Sequence, residues 1–309
     1  MAINLYAHAG VTRARTGTIS VAADIPMGLV GRDGTGKVVK GTRGLLEPLR
    51  LATRESLAYI GRDSAGVHVE VECGIPIGAG LGSSAATTVA IIAATTLSQG
   101  EKLSIDDIVK VAFGPESYLH GKPSGVDHST CAIGGVLSYS RPGGARALSV
   151  RRVPRILVCD SGIHRSTGRL VKAVVRRSED EKKVFESHLV EVRGISCAAV
   201  QALRRGDDEE LGGLFNRNHE LLVDIGVSNP VLDKLVRAAL NAGALGAKLT
   251  GAGGGGCIIA LCRDAKSQTR IGKALRRIGG TLYEVALDSK GVVARSTGEH
   301  SNSLARSGL

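Results

Sequence analysis

Pro76-Ile77-Gly78-Ala79-Gly80-Leu81-Gly82-Ser83-Ser84-Ala85-Ala86 separates two stretches of opposite character: Val-His-Val-Glu-Val-Glu-Cys over 67–73, and a breaker-free run of Ala, Ile and Thr reaching Leu97. The period-two alternation predicts a strand, and the apolar run predicts a buried helix over Ser83 to Leu97. The glycines between them permit positive φ and close backbone approach. A helix N-terminus carries partial positive charge and free N–H groups, so a phosphate settles there readily. The two serines add hydroxyls, and one can ligate Mg²⁺ beside a phosphate oxygen. Two other readings fit less well. Gly80-Leu-Gly82-Ser-Ser-Ala85 satisfies the dinucleotide pattern G-x-G-x-x-A, but the strand does not run straight into it and no strand-ending acid follows about 20 residues on. The plainer alternative is a tight loop that needs glycine for packing.

Working outward, two further glycine-rich stretches follow in order, Gly121-Lys-Pro-Ser-Gly-Val-Asp127 and Lys248-Leu-Thr-Gly-Ala-Gly-Gly-Gly-Gly256. Glu116 lies just before the first, and a loop folded back would bring it and Asp127 toward one phosphate-bearing site. One carboxylate holding Mg²⁺ and another facing a substrate hydroxyl is the equipment of phosphoryl transfer to an alcohol. Four consecutive glycines, Gly253 to Gly256, carry an entropic cost that calls for a close backbone approach, to a ligand, to the first loop, or to both. His120 and His128 are not spaced as zinc ligands and read as structural groups. His164-Arg165-Ser-Thr167 offers a guanidinium and hydroxyls to an acidic substrate. Gly31-Arg-Asp-Gly-Thr-Gly-Lys37 nearly spells a Walker A loop, but Val38 replaces the required hydroxyl, so a hairpin turn is expected.

Short alternating runs from Ile3 to Ile25 predict strands of an antiparallel sheet. Ser104-Ile-Asp-Asp107 resembles a capping box opening a helix to about Phe113, where Gly114-Pro115 should break or kink it before a further turn carrying Glu116 and His120. Val136 to Ser140 reads as a strand followed by a turn at Arg141 to Gly144. A new buried strand at 155–162 sets the domain boundary near 152. Beyond it, helices are expected over Gly168 to Gly194, Gly194 to Arg205, Leu211 to Asp224, from Asn229-Pro230 to about Asn241, and over Ala265 to Gly279. Strands are expected at Cys257 to Cys262 and finally at Thr281 to Leu287. The division is 1–152, 153–295 and a flexible tail over 296–309, in an α+β architecture.

The 309 residues are 43% hydrophobic, enough for a sizeable core. A net charge of +11, from 40 Lys+Arg against 29 Asp+Glu, favours an anionic partner. The basic residues fall in scattered pairs such as Arg151-Arg152 and Arg276-Arg277, and aromatics are 3% with no Trp, which argues against nucleic acid. Six cysteines with no C-x-x-C fit free thiols in a reducing compartment. No apolar run reaches about 18 residues and the N-terminus has no signal pattern, so a cytoplasmic location without membrane contact is expected.

Pro76 to Ala86, Glu116 to Ser129, His164 to Val171, Asn218 to Leu235 and Gly246 to Cys257 together resemble the family of galactokinase, homoserine kinase, mevalonate kinase and phosphomevalonate kinase. The Arg165-Ser-Thr167 and Asn218-His-Glu-Leu-Leu segments are most similar to its compact archaeal mevalonate kinases. The resemblance implies a ribosomal-protein-S5-like N-terminal domain, a ferredoxin-like C-terminal domain, and ATP between them. It implies Asp127 as catalytic aspartate, Ser84 and Glu116 as Mg²⁺ ligands, and the 76–86 loop with Gly253 and Gly254 around the triphosphate. It further implies Arg165 and Thr167 facing mevalonate, and a homodimer. Such kinases open with Ala-Pro-Gly-Lys and then Gly-Glu-His, supplying a lysine to the catalytic aspartate. Met1-Ala-Ile-Asn-Leu resembles the strand after that segment, so a preceding stretch of roughly two dozen residues, with its own strand, is expected.

Overall fold

A computed structural model describes residues 1–24, 43–163, 167–297 and 303–308. The near-Walker segment 31–37 lies outside them, as does Arg165. The chain forms two compact units: Met1–Ile77 with Gly82–Ala147 and Leu287–Leu309, and Gly78–Leu81 with Leu148–Ala286.

The first unit begins with β1 (Tyr6–Ala14) and β2 (Ile19–Asp24), then α1 (Arg43–Tyr59), β3 (Gly66–Cys73), α2 (Ser83–Ser98), α3 (Ile105–His120), α4 (Val126–Ile133) and the hairpin β4 (Leu137–Ser140) and β5 (Gly144–Ala147). In β3, Val67, Val69, Val71 and Cys73 point inward while Glu70 and Glu72 face solvent, as period-two alternation requires. Helix α2 carries no charged residue on any side and is correspondingly buried along nearly its whole length. Two of its buried hydroxyls back-bond to the helix, Thr96 Oγ1 to Ile92 O at 3.1 Å and Ser98 Oγ to Thr95 O at 2.7 Å, while Thr95 Oγ1 is buried without a partner among the described residues.

The second unit contains β6 (Arg155–Asp160), α5 (Thr167–Asp180), α6 (Lys182–Arg205), α7 (Asp208–Asp224), α8 (Pro230–Asn241), β7 (Gly246–Leu249), β8 (Cys257–Cys262), α9 (Ala265–Arg277) and β9 (Thr281–Glu284). Its antiparallel sheet runs β7-β8-β6-β9. The continuous apolar run of β8 follows from burial on both faces. Ile258, Ala260 and Cys262 join the core with Leu232, Leu235, Ile271 and Leu275, while Leu261 packs with Ala202 and Leu211. Asn229 caps α8, accepting from the N–H groups of Val231 and Leu232 at 2.9 Å each, with Pro230 at the first helical position. Asp264 and Ser267 form a reciprocal capping box on α9.

The structure departs from several expectations. The sheet of the first unit runs β10-β11-β1-β3-β2, where β10 is Val293–Ser296 and β11 is Ser303–Gly308. The expected tail therefore supplies an interior strand. Its Ser/Gly-rich composition suggested mobility, yet small residues suit a strand lying over α2: Ala305 and Ser307 are buried, and Ser307 Oγ donates to Cys131 O at 3.1 Å. The unit boundary falls at 147 rather than 152, and the chain rejoins the first unit at Leu287, not 295. That return is fixed by Asp288 N–H to Ala2 O and Gly135 N–H to Asp288 O.

β2 pairs with β3 in parallel, not antiparallel, because α1 carries the chain across between them. α3 continues through Pro115, which sits buried inside it, and the missing side chain of Gly114 leaves room for the Glu55 carboxylate. The break between α5 and α6 comes at Glu181, while Gly194 lies inside α6 with open space around its Cα. A helix of that length tolerates the propensity loss of one glycine, about 1 kcal/mol.

Candidate active site

After β3 the chain turns three times in the left-handed region, with φ of 73° at Gly78, 76° at Gly80 and 64° at Gly82. This alternation lets Ala79 and Leu81 stay buried while the intervening peptides turn. Gly82 occupies the N-cap of α2 and offers no side-chain cap. The first-turn N–H groups, with the hydroxyls of Ser83 and Ser84 beside them, form the electropositive end of a buried helix without charged side chains.

Glu116 reaches that end from α3 and is buried, with 2% of its surface exposed. Its Oε1 accepts from Ser84 Oγ at 2.7 Å and Thr88 Oγ1 at 3.4 Å, and its Oε2 lies 3.6 Å from His120 Nε2. Burial pushes the Glu116 carboxyl above its ordinary range; the Ser84 hydroxyl and His120 oppose this, and Asp127 reinforces it. Desolvation, not hydrogen bonding, therefore dominates.

Asp127 stands in the first turn of α4. Gly125 caps that helix at φ 98°, and a side chain there would strike the Tyr139 hydroxyl, which is held by Ser124 O. The carboxylate is open to solvent yet set in a recess dense with protein atoms. Desolvation raises its pKa, while His120 and the Met1 α-amino group lower it.

His120 and Thr88 escaped the sequence reading as site residues. Their signal was spacing: His120 is one helical turn beyond Glu116, and Thr88 one turn beyond Ser84. His128 is buried and set edge-on to Phe113.

In the second unit the glycine run lies against backbone. Gly254 N–H donates to Val227 O at 2.7 Å, Gly256 N–H to Ile163 O at 3.0 Å, and Cys257 N–H to Ala79 O at 3.1 Å. A methyl group on Gly253 would come within 2.8 Å of Val227 Cβ, and one on Gly255 within 2.9 Å of Ile163 Cγ2. One on Gly256 would come 2.5 Å from Ala79 O. Close packing against Ala79 of the first loop accounts for the glycine density, and the Gly254 amide is engaged internally. Thr167 opens α5.

Residues 48–135 match the sequence model of the GHMP kinases N-terminal domain, and residues 199–281 that of the GHMP kinases C-terminal domain. Mevalonate kinase of Thermococcus onnurineus is 40% identical over 236 residues, covering 75% of this chain and 70% of that protein. The chain belongs to the GHMP kinase family. Mevalonate kinase of Pyrococcus horikoshii is 41% identical over 238 residues, covering 75% of this chain and 68% of its own length. The crystal structure of the Methanococcus jannaschii mevalonate kinase superposes with a TM-score of 0.75 at 25% identity, over 93% of this chain and 90% of that one. The GHMP kinase fold agrees with the α+β reading, and the two matched segments contain the loop-to-helix junction, Glu116, Asp127 and the glycine run.

Proposed function

We propose that this chain transfers the γ-phosphoryl group of ATP to the primary hydroxyl of mevalonate, giving 5-phosphomevalonate and ADP. The observation that carries the reading is the convergence of Ser84 and Glu116 at an uncapped helix N-terminus, with Asp127 within electrostatic reach. It occurs in a chain about 40% identical to curated mevalonate kinases.

In this reading the 76–86 loop and the first turn of α2 receive the triphosphate through backbone N–H groups. Ser84 and Glu116 present two hard oxygen donors 2.7 Å apart, a set that fits Mg²⁺, which keeps waters and phosphate oxygens among its ligands. When bound, Mg²⁺ supplies charge neutralisation on the phosphate oxygens.

Asp127 orients the substrate hydroxyl and takes its proton as the oxygen–phosphorus bond forms and the bond to ADP breaks. His120 Nε2, 3.6 Å from Glu116 Oε2, is the neighbour of that carboxylate on the same helix. Arg165 and Thr167 are assigned to the mevalonate carboxylate side, Gly253 and Gly254 to shaping the nucleotide site. A homodimer in the cytoplasm belongs to the same reading. No helix among the described residues is long and apolar enough to cross a membrane.

The test is ATP consumption with mevalonate, phosphomevalonate, homoserine and galactose, using the wild type and Asp127→Asn. Turnover with mevalonate, reduced by about 10²–10⁴ in the variant, is expected. Preference for phosphomevalonate would reassign the substrate, and an undiminished variant would remove Asp127 from the chemistry.

A further inference from the structure

The mechanism leaves two buried imidazoles unused, and one of them, His128, packs edge-on to Phe113. His219, on α7, is 8% exposed and touches two other elements. Its Nδ1 accepts the Leu249 N–H at 3.4 Å, at the last residue of β7 before the glycine turn. Its Nε2 lies 3.4 Å from Asp233 Oδ1 on α8, so these partners place the ring proton on Nε2. The same Asp233 oxygen accepts from Ser228 Oγ at 2.5 Å. Ser228 follows Val227, whose N–H is fixed by Leu222 O at 3.0 Å and whose carbonyl receives the Gly254 N–H at 2.7 Å.

One ring thus holds the turn at its entry directly and at its middle through Asp233, Ser228 and Val227. The exit is held separately, by Ile163 and by Ala79 of the phosphate loop. A methyl on Gly253 would overlap Val227 and one on Gly255 would overlap Ile163, so the turn is packed closely along its length between the first two attachments and Ala79.

We propose that His219 is a positioning residue, a strut that fixes the Thr250–Gly256 turn and through it the Ala79 segment that receives the nucleotide. The inference rests on ATP being the phosphoryl donor. It predicts that loss of His219 weakens nucleotide binding and leaves the chemistry at Asp127 intact. A second ring proton would place Nδ1–H against Leu249 N–H, two donors facing each other, and break the entry attachment. The charged groups facing the ring are Asp233 from α8, Glu220 beside it on α7 and Lys248 on β7; burial lowers the His219 pKa, and that of Lys248 to about 8. A cavity of about 330 Å³ bordered by Asn216, Glu220, Asp233 and Arg237 opens onto the ring, giving protons a route to it.

The experiment compares wild type, His219→Ala and Ser228→Ala as full chains, with circular dichroism to establish folding. Calorimetry gives the affinity for a non-hydrolysable ATP analogue. About tenfold weaker binding is expected for His219→Ala, the equivalent of one lost buried hydrogen bond, and several-fold for Ser228→Ala. At saturating substrates kcat should stay within about twofold, because neither residue is proposed to contact the reacting groups. Wild-type affinity should fall on acidification below the ordinary imidazole range, whereas His219→Ala should show no such fall.

Unchanged affinity in folded variants would overturn the proposal. Should His219→Ala not fold, Ser228→Ala decides alone. A wild type that binds no analogue would refute the donor assignment, and amide exchange then decides the strut by itself. Faster exchange over 249–256 in His219→Ala, or in Ser228→Ala if the former does not fold, supports it, and unchanged exchange overturns it.

Discussion

Three glycine-to-alanine substitutions in the second unit separate backbone strain from steric overlap, and the structure orders them in advance. Gly194 lies within α6 with nothing inside 4 Å of an added methyl, so alanine there should stabilise by about 0.5–1 kcal/mol through the unfolded chain. Gly279 follows α9 at φ 94°, also in open space, so alanine meets only the left-handed penalty of about 1–2 kcal/mol. Gly253 combines φ 83° with a methyl 2.8 Å from Val227 Cβ and in overlap with the Val227 carbonyl. Adding about 1–3 kcal/mol for overpacking to the same conformational penalty gives a loss of about 2–5 kcal/mol. At about 2–4 °C per kcal/mol for a unit of this size, Gly253→Ala should melt about 10 °C below wild type. Gly279→Ala should lie a few degrees below and Gly194→Ala slightly above. Thermal denaturation followed by circular dichroism reads all three. If Gly253→Ala and Gly279→Ala melted together, Val227 would be yielding freely, and the claim that the glycine turn is held rigidly would fail.

Because burial raises the Glu116 carboxyl above its unfolded value, its contribution to stability is fully present below the unfolded pKa and is lost as pH rises through the folded one. Glu116→Gln without ligands should therefore melt higher than wild type at pH 7, converge with it in acid, and lose phosphoryl transfer by about 100-fold or more; a lower melting point at pH 7 would contradict the desolvation account. Asn229→Ala removes the acceptor of two α8 N–H groups and should cost about 1–2 kcal/mol in urea denaturation. Of the six free cysteines only Cys197 is exposed, so a thiol reagent should label one site in the native protein and six after denaturation; rapid native labelling of a second thiol would show that one of the other five is not buried.

Much of the site was legible because its determinants are local. A strand, three glycines, two serines and an apolar helix follow one another within 67–97, and each obeys a short-range rule: alternation, positive φ, helix entry. The caps at Ser104 and Asn229 lie where their side chains meet amides two or three residues on. Glu116 and Asp127 were visible as carboxylates flanking one loop.

Non-local relations were not legible. Nothing in Ser303–Gly308 itself specifies an interior strand: its place depends on β1 and β10 offering hydrogen-bonding edges and on α2 leaving room only for small side chains. The parallel pairing of β2 with β3 is set by the path of α1. The density of Gly253 to Gly256 fitted a ligand as well as packing until Val227, Ile163 and Ala79 were found against it. The sequence alone determined which chemistry the chain can carry, since donor types, turn conformations and helix ends are properties of neighbouring residues. The tertiary structure decided how those groups are held and charged, because desolvation of Glu116, the His120 contact and the anchoring of the glycine turn arise between residues far apart in the chain.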